Sequence, residues 1–104
     1  IQDKNIDEAL GYAQKAKEQL PDEPSVMDTL GWIYYKKSLY DSAISEFEGS
    51  LEKLPDNPIV NYHLGMAYYQ KGDKTRAKKQ LQKAISLDAD FDGANEAKSI
   101  LSTL

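Results

Sequence analysis

"PSVMDTLGWIYYKKSLYDSAISEFEGSLEKLPDN" (residues 24–57) stands over "PIVNYHLGMAYYQKGDKTRAKKQLQKAISLDADF" (58–91) when the chain is shifted on itself by 34 residues. Nine positions coincide: Pro24/Pro58, Val26/Val60, Leu30/Leu64, Gly31/Gly65, Tyr34/Tyr68, Tyr35/Tyr69, Lys37/Lys71, Ala43/Ala77 and Asp56/Asp90. Most are apolar, small or turn residues, the kinds that set packing. Self-similarity at a fixed period of this length marks a stack of units, each burying its apolar face on the next.

Within a unit the spacing is helical. Val26, Leu30, Ile33, Tyr34 and Lys37 recur at three- and four-residue steps, and so do Ala43, Phe47, Ser50, Leu51 and Leu54. Each unit therefore reads as helix, short turn, helix. The inner turns are "KKSLYDS" and "QKGDKTR", where Gly72 suits a left-handed helix C-terminus and Asp41 and Asp73 suit N-caps or first-turn acids. "LPDEP" (20–24) and "LPDNP" (54–58) join the units, their prolines ending one helix or opening the next. A glycine inside a helix costs about 1 kcal/mol relative to alanine. Gly31 is expected to face Ala43, and Gly65 to face Ala77, so that the paired backbones approach closely while Tyr34 with Phe47, or Tyr68 with Leu81, fill the space around them.

These residues resemble the tetratricopeptide repeat, a helix–turn–helix module. Its Leu-Gly pair is matched by Leu30-Gly31 and Leu64-Gly65, its following Tyr by Tyr34 and Tyr68, its small residue by Ala43 and Ala77, its later apolar residue by Phe47 and Leu81, its next small residue by Ser50 and Ala84, and its closing Pro by Pro55. Ala89 replaces that Pro in the second unit, and Met27 and Asn61 replace the family's early Trp. The resemblance implies an all-α fold, antiparallel helix pairs stacked as a right-handed superhelical solenoid. It implies one domain over 1–104: the second helix of a truncated repeat (1–21), full repeats at 24–57 and 58–91, and a closing helix (92–104). Ala9, Ala13, Ala16 and Pro21 fall in register with Ala43, Phe47, Ser50 and Pro55. Ile6, Leu10, Ala13 and Leu20 would then lack a partner helix. Either a longer parent chain supplies it, which is the expectation, or a second copy covers it in a homo-oligomer. "DTLGWIYYKK" (28–37) also resembles closing repeats of bacterial proteins of this family associated with envelope and exopolysaccharide export.

Composition narrows the chemistry. The 104 residues carry no cysteine, which excludes disulfides, thiolate catalysis and Cys-based zinc sites. His63 is the sole histidine, too few for a His/Cys metal site. No phosphate loop, HExxH or Gly-x-Ser-x-Gly is present, so neither catalysis nor a cofactor is expected. No apolar run reaches the length of a membrane span. The net charge of −4 disfavours nucleic acid as a partner. Charge is uneven: 12 acidic and 6 basic residues lie in 1–57, against 5 acidic and 7 basic in 58–104. The basic run "KGDKTRAKK" (71–79), with Lys74, Arg76, Lys78 and Lys79, offers phosphate or anionic lipid a weak third target.

The remaining face points to a protein or peptide partner. In the family the first helix of each unit lines a concave groove. Here that face carries Asp28, Thr29, Trp32, Tyr35 and Lys36, then Tyr62, His63, Met66, Tyr69 and Gln70, with Glu96, Ile100 and Thr103 extending it. Asp28, Trp32 and Tyr35 share a helix face, and Tyr62, Met66 and Tyr69 repeat the spacing. Trp, Tyr and Met are enriched at binding hot spots. Asp28, Thr29, His63 and Met66 stand where a carboxylate clamp needs basic and polar groups, so an apolar or aromatic-bearing segment is the expected occupant.

Overall fold

Two proline-opened helices and the helices that follow them set the frame. The computed structural model describes residues 2–104 as α1 (Gln2–Gln19), α2 (Pro24–Lys36), α3 (Tyr40–Lys53), α4 (Pro58–Lys71), α5 (Lys74–Leu87) and α6 (Ala94–Leu101), with no strand among the described residues. Ile1, the start of the expected opening helix, lies outside them. Successive helices pack on one another, and α4 also touches α2 and α6. The result is two layers, α2, α4 and α6 against α1, α3 and α5.

Local sequence explains the ends of these helices. Pro24 and Pro58 occupy the first turn, where the N–H they lack would find no intrahelical acceptor. Asn57 caps α4 through its side chain, accepting from the Ile59 and Val60 amides at 2.9 and 3.2 Å. The two inner turns share one geometry. Gly72 takes φ +97°, and the Asp73 amide reaches back to the Tyr68 carbonyl at 2.9 Å. Ser38 takes φ +63°, and the Leu39 amide reaches the Tyr34 carbonyl at 2.9 Å. Asp73 caps α5 by accepting from the Arg76 amide at 3.1 Å. Asp41 sits in the first turn of α3, and Leu39 holds the cap position with no side-chain bond, so of the two expectations for Asp41 the first-turn acid is the one met.

The glycines allow close approach, and the expected Phe47 and Leu81 are what an added Cβ would meet first. A Cβ on Gly31 would lie 2.6 Å from Phe47 Cε1 and 3.2 Å from Glu46 Cβ; one on Gly65 would lie 2.7 Å from Leu81 Cδ2 and 3.2 Å from the Leu81 backbone nitrogen. The glycines thus receive Phe47 and Leu81, four residues after Ala43 and Ala77. All four of these partner-helix residues are fully buried. Phe47 with Val60, Leu64 and Ala67 forms one apolar cluster; Leu81 with Tyr62, Met66, Phe91, Ala94 and Ala97 forms the next.

The ends of the stack differ from expectation in two respects. Ala13 is buried, while Ile6 and Leu10 are half-buried and Leu20 is exposed, so α1 is not bare along its whole apolar side. Lys17–Glu46 at 2.6 Å and the pair Lys37–Asp7 tie α1 to the units that follow. The closing helix spans Ala94–Leu101 and not 92–104, because Gly93 turns the chain at φ +102° directly against the Tyr62 ring.

Candidate binding face

Helical spacing on α2 places Trp32 and Tyr35 side by side, and the rings stack with centroids 4.6 Å apart and planes 3° from parallel. His63 of α4 stacks on Trp32 at 4.0 Å. Its Nδ1 lies 2.8 Å from Asp28 Oδ1, which joins the two helices at the head of the stack. Tyr62 approaches Trp32 at 6.4 Å and Phe91 at 5.4 Å, and its hydroxyl donates to Glu96 Oε2 at 3.1 Å. Aromatic pairs of this kind contribute about 0.5–1.5 kcal/mol each beyond area burial. They hold α2, α4 and α6 in one continuous face.

Burial governs the electrostatics of this face. It pushes the Tyr62 hydroxyl well above the usual tyrosine range, and the neighbouring Glu96 carboxylate adds to the effect. Burial also raises Tyr35, against an opposing hydrogen bond from Gln70. Both phenols stay neutral at ordinary pH; Tyr62 donates to Glu96, while Tyr35 accepts from Gln70. Lys36 Nζ lies 6.0 Å from the Trp32 ring centre.

A cleft of about 410 Å³ opens between Trp32, Ile59, Tyr62, His63, Asp92, Gly93 and Glu96. A second, about 240 Å³, is lined by Glu23, Pro24, Ser25, Asp28, Thr29 and Ile59 among others. Ile59 is shared by both and is exposed. The sequence reading missed Ile59, Asp92 and Gly93. A branched apolar residue directly after a helix-opening proline was the available signal for Ile59. The positions of Asp92 and Gly93 depend on the turn into α6.

Of the ten expected groove residues, Thr29, Lys36 and Gln70 are exposed and Asp28, Trp32, Tyr35, His63 and Tyr69 are half-buried. Tyr62 and Met66 are buried, at 6% and 3% exposure. They were expected on the open strip; α6 packs across them, so they support the face from below. Of the proposed extension, Glu96 borders the larger cleft, and Ile100 is half-buried on the cluster beneath it. Among the described residues no group of three or more His, Cys, Asp or Glu side chains gathers as for a metal, and no helix is long and apolar enough to cross a membrane. Lys74, Arg76, Lys78 and Lys79 are exposed on α5; Arg76 is engaged by Asp73 at 3.6 Å and lies 5.9 Å from the Tyr68 ring centre.

A family model described as tetratricopeptide repeat matches residues 34–104. Two solved structures resemble this one closely in shape. The type III secretion translocator chaperone SycD of Yersinia enterocolitica aligns with a TM-score of 0.86 at 20% identity, covering 98% of this chain and 73% of its own. PcrH, solved in complex with the chaperone-binding region of PopD, aligns with a TM-score of 0.84 at 20% identity, covering 98% and 80%. No curated protein matches the chain. At this identity the structural likeness establishes a shared fold.

Proposed function

The chain belongs to the tetratricopeptide repeat family, and from that premise we propose that it is a non-enzymatic scaffold holding a peptide or protein segment against the face formed by α2, α4 and α6. In this reading the repeats are 24–57 and 58–91, with α1 before them and α6 closing the stack. One observation carries the reading: Trp32 and His63 of the aromatic stack line a cleft that shares the exposed Ile59 with a second cleft, lined by Asp28 and Thr29. Such a face offers apolar area with ordered polar rims, the usual anatomy of a binding surface. Thr29, Trp32, Tyr35, Ile59, Tyr69 and Gln70 make contact in this reading. Tyr62 and Met66 set the position of the others. PcrH, which shares the fold, was solved with a segment of PopD, a precedent for segment binding on this architecture.

The test is capture by the immobilised chain, comparing wild type with Trp32→Ala/Tyr69→Ala and with Ile59→Asp. Partners retained by wild type are expected to be lost from both variants while helicity by circular dichroism persists. Unchanged capture by the folded variants overturns the reading. A second reading is self-association through α1, favoured by Tyr12 at 73% exposure and Leu20 at 54%. A mass by light scattering that rises with concentration, and is restored to one chain by Tyr12→Lys, supports it; a constant monomer mass removes it.

A further inference from the structure

Two buried side-chain oxygens lack a hydrogen-bond partner among the described residues, Asn61 Oδ1 and Gln80 Oε1, and both belong to the lining of one cleft. The cleft, about 390 Å³, lies between α3 and α5 over Asn61 and Leu64 of α4, with Glu48, Leu51, Glu52 and Lys83 in its walls. The Trp32 stack meets α4 elsewhere, at Tyr62 and His63. Asn61 is 0% exposed, and its orientation is fixed by its own bonds. Its Nδ2 donates to the Pro55 carbonyl at 3.1 Å and the Asn57 carbonyl at 2.8 Å, so turning the amide over would set Oδ1 against two carbonyl oxygens. A buried acceptor without a donor is costly, and two beside one cleft define a place for a donor.

The preceding unit shows which donor suits this slot. Thirty-four residues before Gln80 stands Glu46, and Lys17 of α1 reaches across to it at 2.6 Å. Thirty-four residues after Lys17 stands Leu51, which has no donor to offer. The second unit therefore keeps acceptors in the slot while its neighbouring helix supplies no ammonium. Glu48 and Glu52 leave the surroundings favourable to positive charge, and Lys83 is the one cation in the lining.

We propose that the α3–α5 cleft is a docking point for a cationic side chain, lysine or arginine, projecting from a partner protein. Its ammonium or guanidinium donates to Gln80 Oε1 and Asn61 Oδ1, as Lys17 donates to Glu46 one unit earlier. This site stands apart from the aromatic face and does not depend on the function proposed for it.

The probe is N-acetyl-L-arginine amide, with its uncharged isostere N-acetyl-L-citrulline amide as comparison. Each is titrated into the isotope-labelled chain while the side-chain amide signals of Asn61 and Gln80 are followed by NMR. The arginine probe is expected to shift both signals saturably, and citrulline to bind about tenfold more weakly or worse because its donors carry no charge. Leu51→Lys places an ammonium at the position equivalent to Lys17 and is expected to block the probe. Gln80→Leu removes one acceptor and is expected to abolish saturation at Asn61. Circular dichroism checks that each variant folds, and the two variants serve as alternatives should one not. Trp32→Ala is expected to leave the titration unchanged. No saturable shift, equal binding of citrulline, or undiminished binding to a folded Leu51→Lys or Gln80→Leu variant overturns the proposal.

Discussion

Glycine has opposite meanings at different positions of this chain, and the neighbours decide which. Gly65 sits where an added Cβ would meet Leu81 at 2.7 Å, with the Leu81 backbone nitrogen at 3.2 Å. The backbone cannot swing aside as a side-chain tip can. Gly65→Ala is therefore expected to destabilise by about 1–3 kcal/mol, despite the better helix propensity of alanine. Gly11 lies inside α1 with nothing within 4 Å of the same added atom. There propensity alone acts, and Gly11→Ala is expected to stabilise by up to about 1 kcal/mol. Urea denaturation of the two variants checks both signs; a shift in the same direction for both would refute the close-approach account. That Gly31 and Gly65 recur at equivalent positions, with Phe47 and Leu81 filling the space around them, was legible in the sequence. How closely each ring or side chain seats on its glycine was not, because that distance is set by how the crossing backbones slide together.

At the scale of the element, the two helix-turn-helix units share their turns and differ in their caps. α5 has Asp73 accepting from the Arg76 amide, while α3 begins after Leu39, an exposed residue without a side-chain acceptor. Leu39→Asp is expected to stabilise the chain by about 0.5–2 kcal/mol, the usual worth of a cap. An unchanged or lowered melting temperature would count against it. The sequence drew the eye to Asp41, a plausible acid near the right place. The 34-residue offset itself sets Leu39, not Asp41, over Asp73, and the path of the inner turn puts Leu39 at the cap. Asn57 carries a comparable lesson: its cap on α4 was hidden inside "LPDNP", whose prolines dominate any reading of that linker.

Across the whole molecule, Tyr62 links the second repeat to the closing helix through Glu96 and Phe91. Its hydroxyl is raised chiefly by burial, and Tyr35 and Tyr68 are raised by burial as well. A raised acid keeps its proton in the folded chain when the unfolded chain has lost it. The resulting stability is fully present below the unfolded tyrosine value of about 10 and falls as pH rises from there through the folded value. Thermal melts of wild type between roughly pH 9 and 11 are expected to show a steep loss, and Tyr62→Phe a shallower one. Parallel curves would show that Tyr62 does not report on packing between α4 and α6.

The sequence by itself determined the repeat, its period, the helical pairs and the side of each first helix that faces away from its partner. Local rules reach that far, because apolar spacing, turn glycines and prolines act within a few residues of themselves. Tertiary structure decided which residues of that side remain open. Tyr62 and Met66 have the same helical spacing as Asp28 and Trp32, yet α6 crosses them and buries them. It also decided that Asn61 and Gln80 would border one cleft while the equivalent place one unit earlier is bridged by Lys17. Both outcomes depend on which elements end up adjacent in space, and periodicity along one helix carries no record of that.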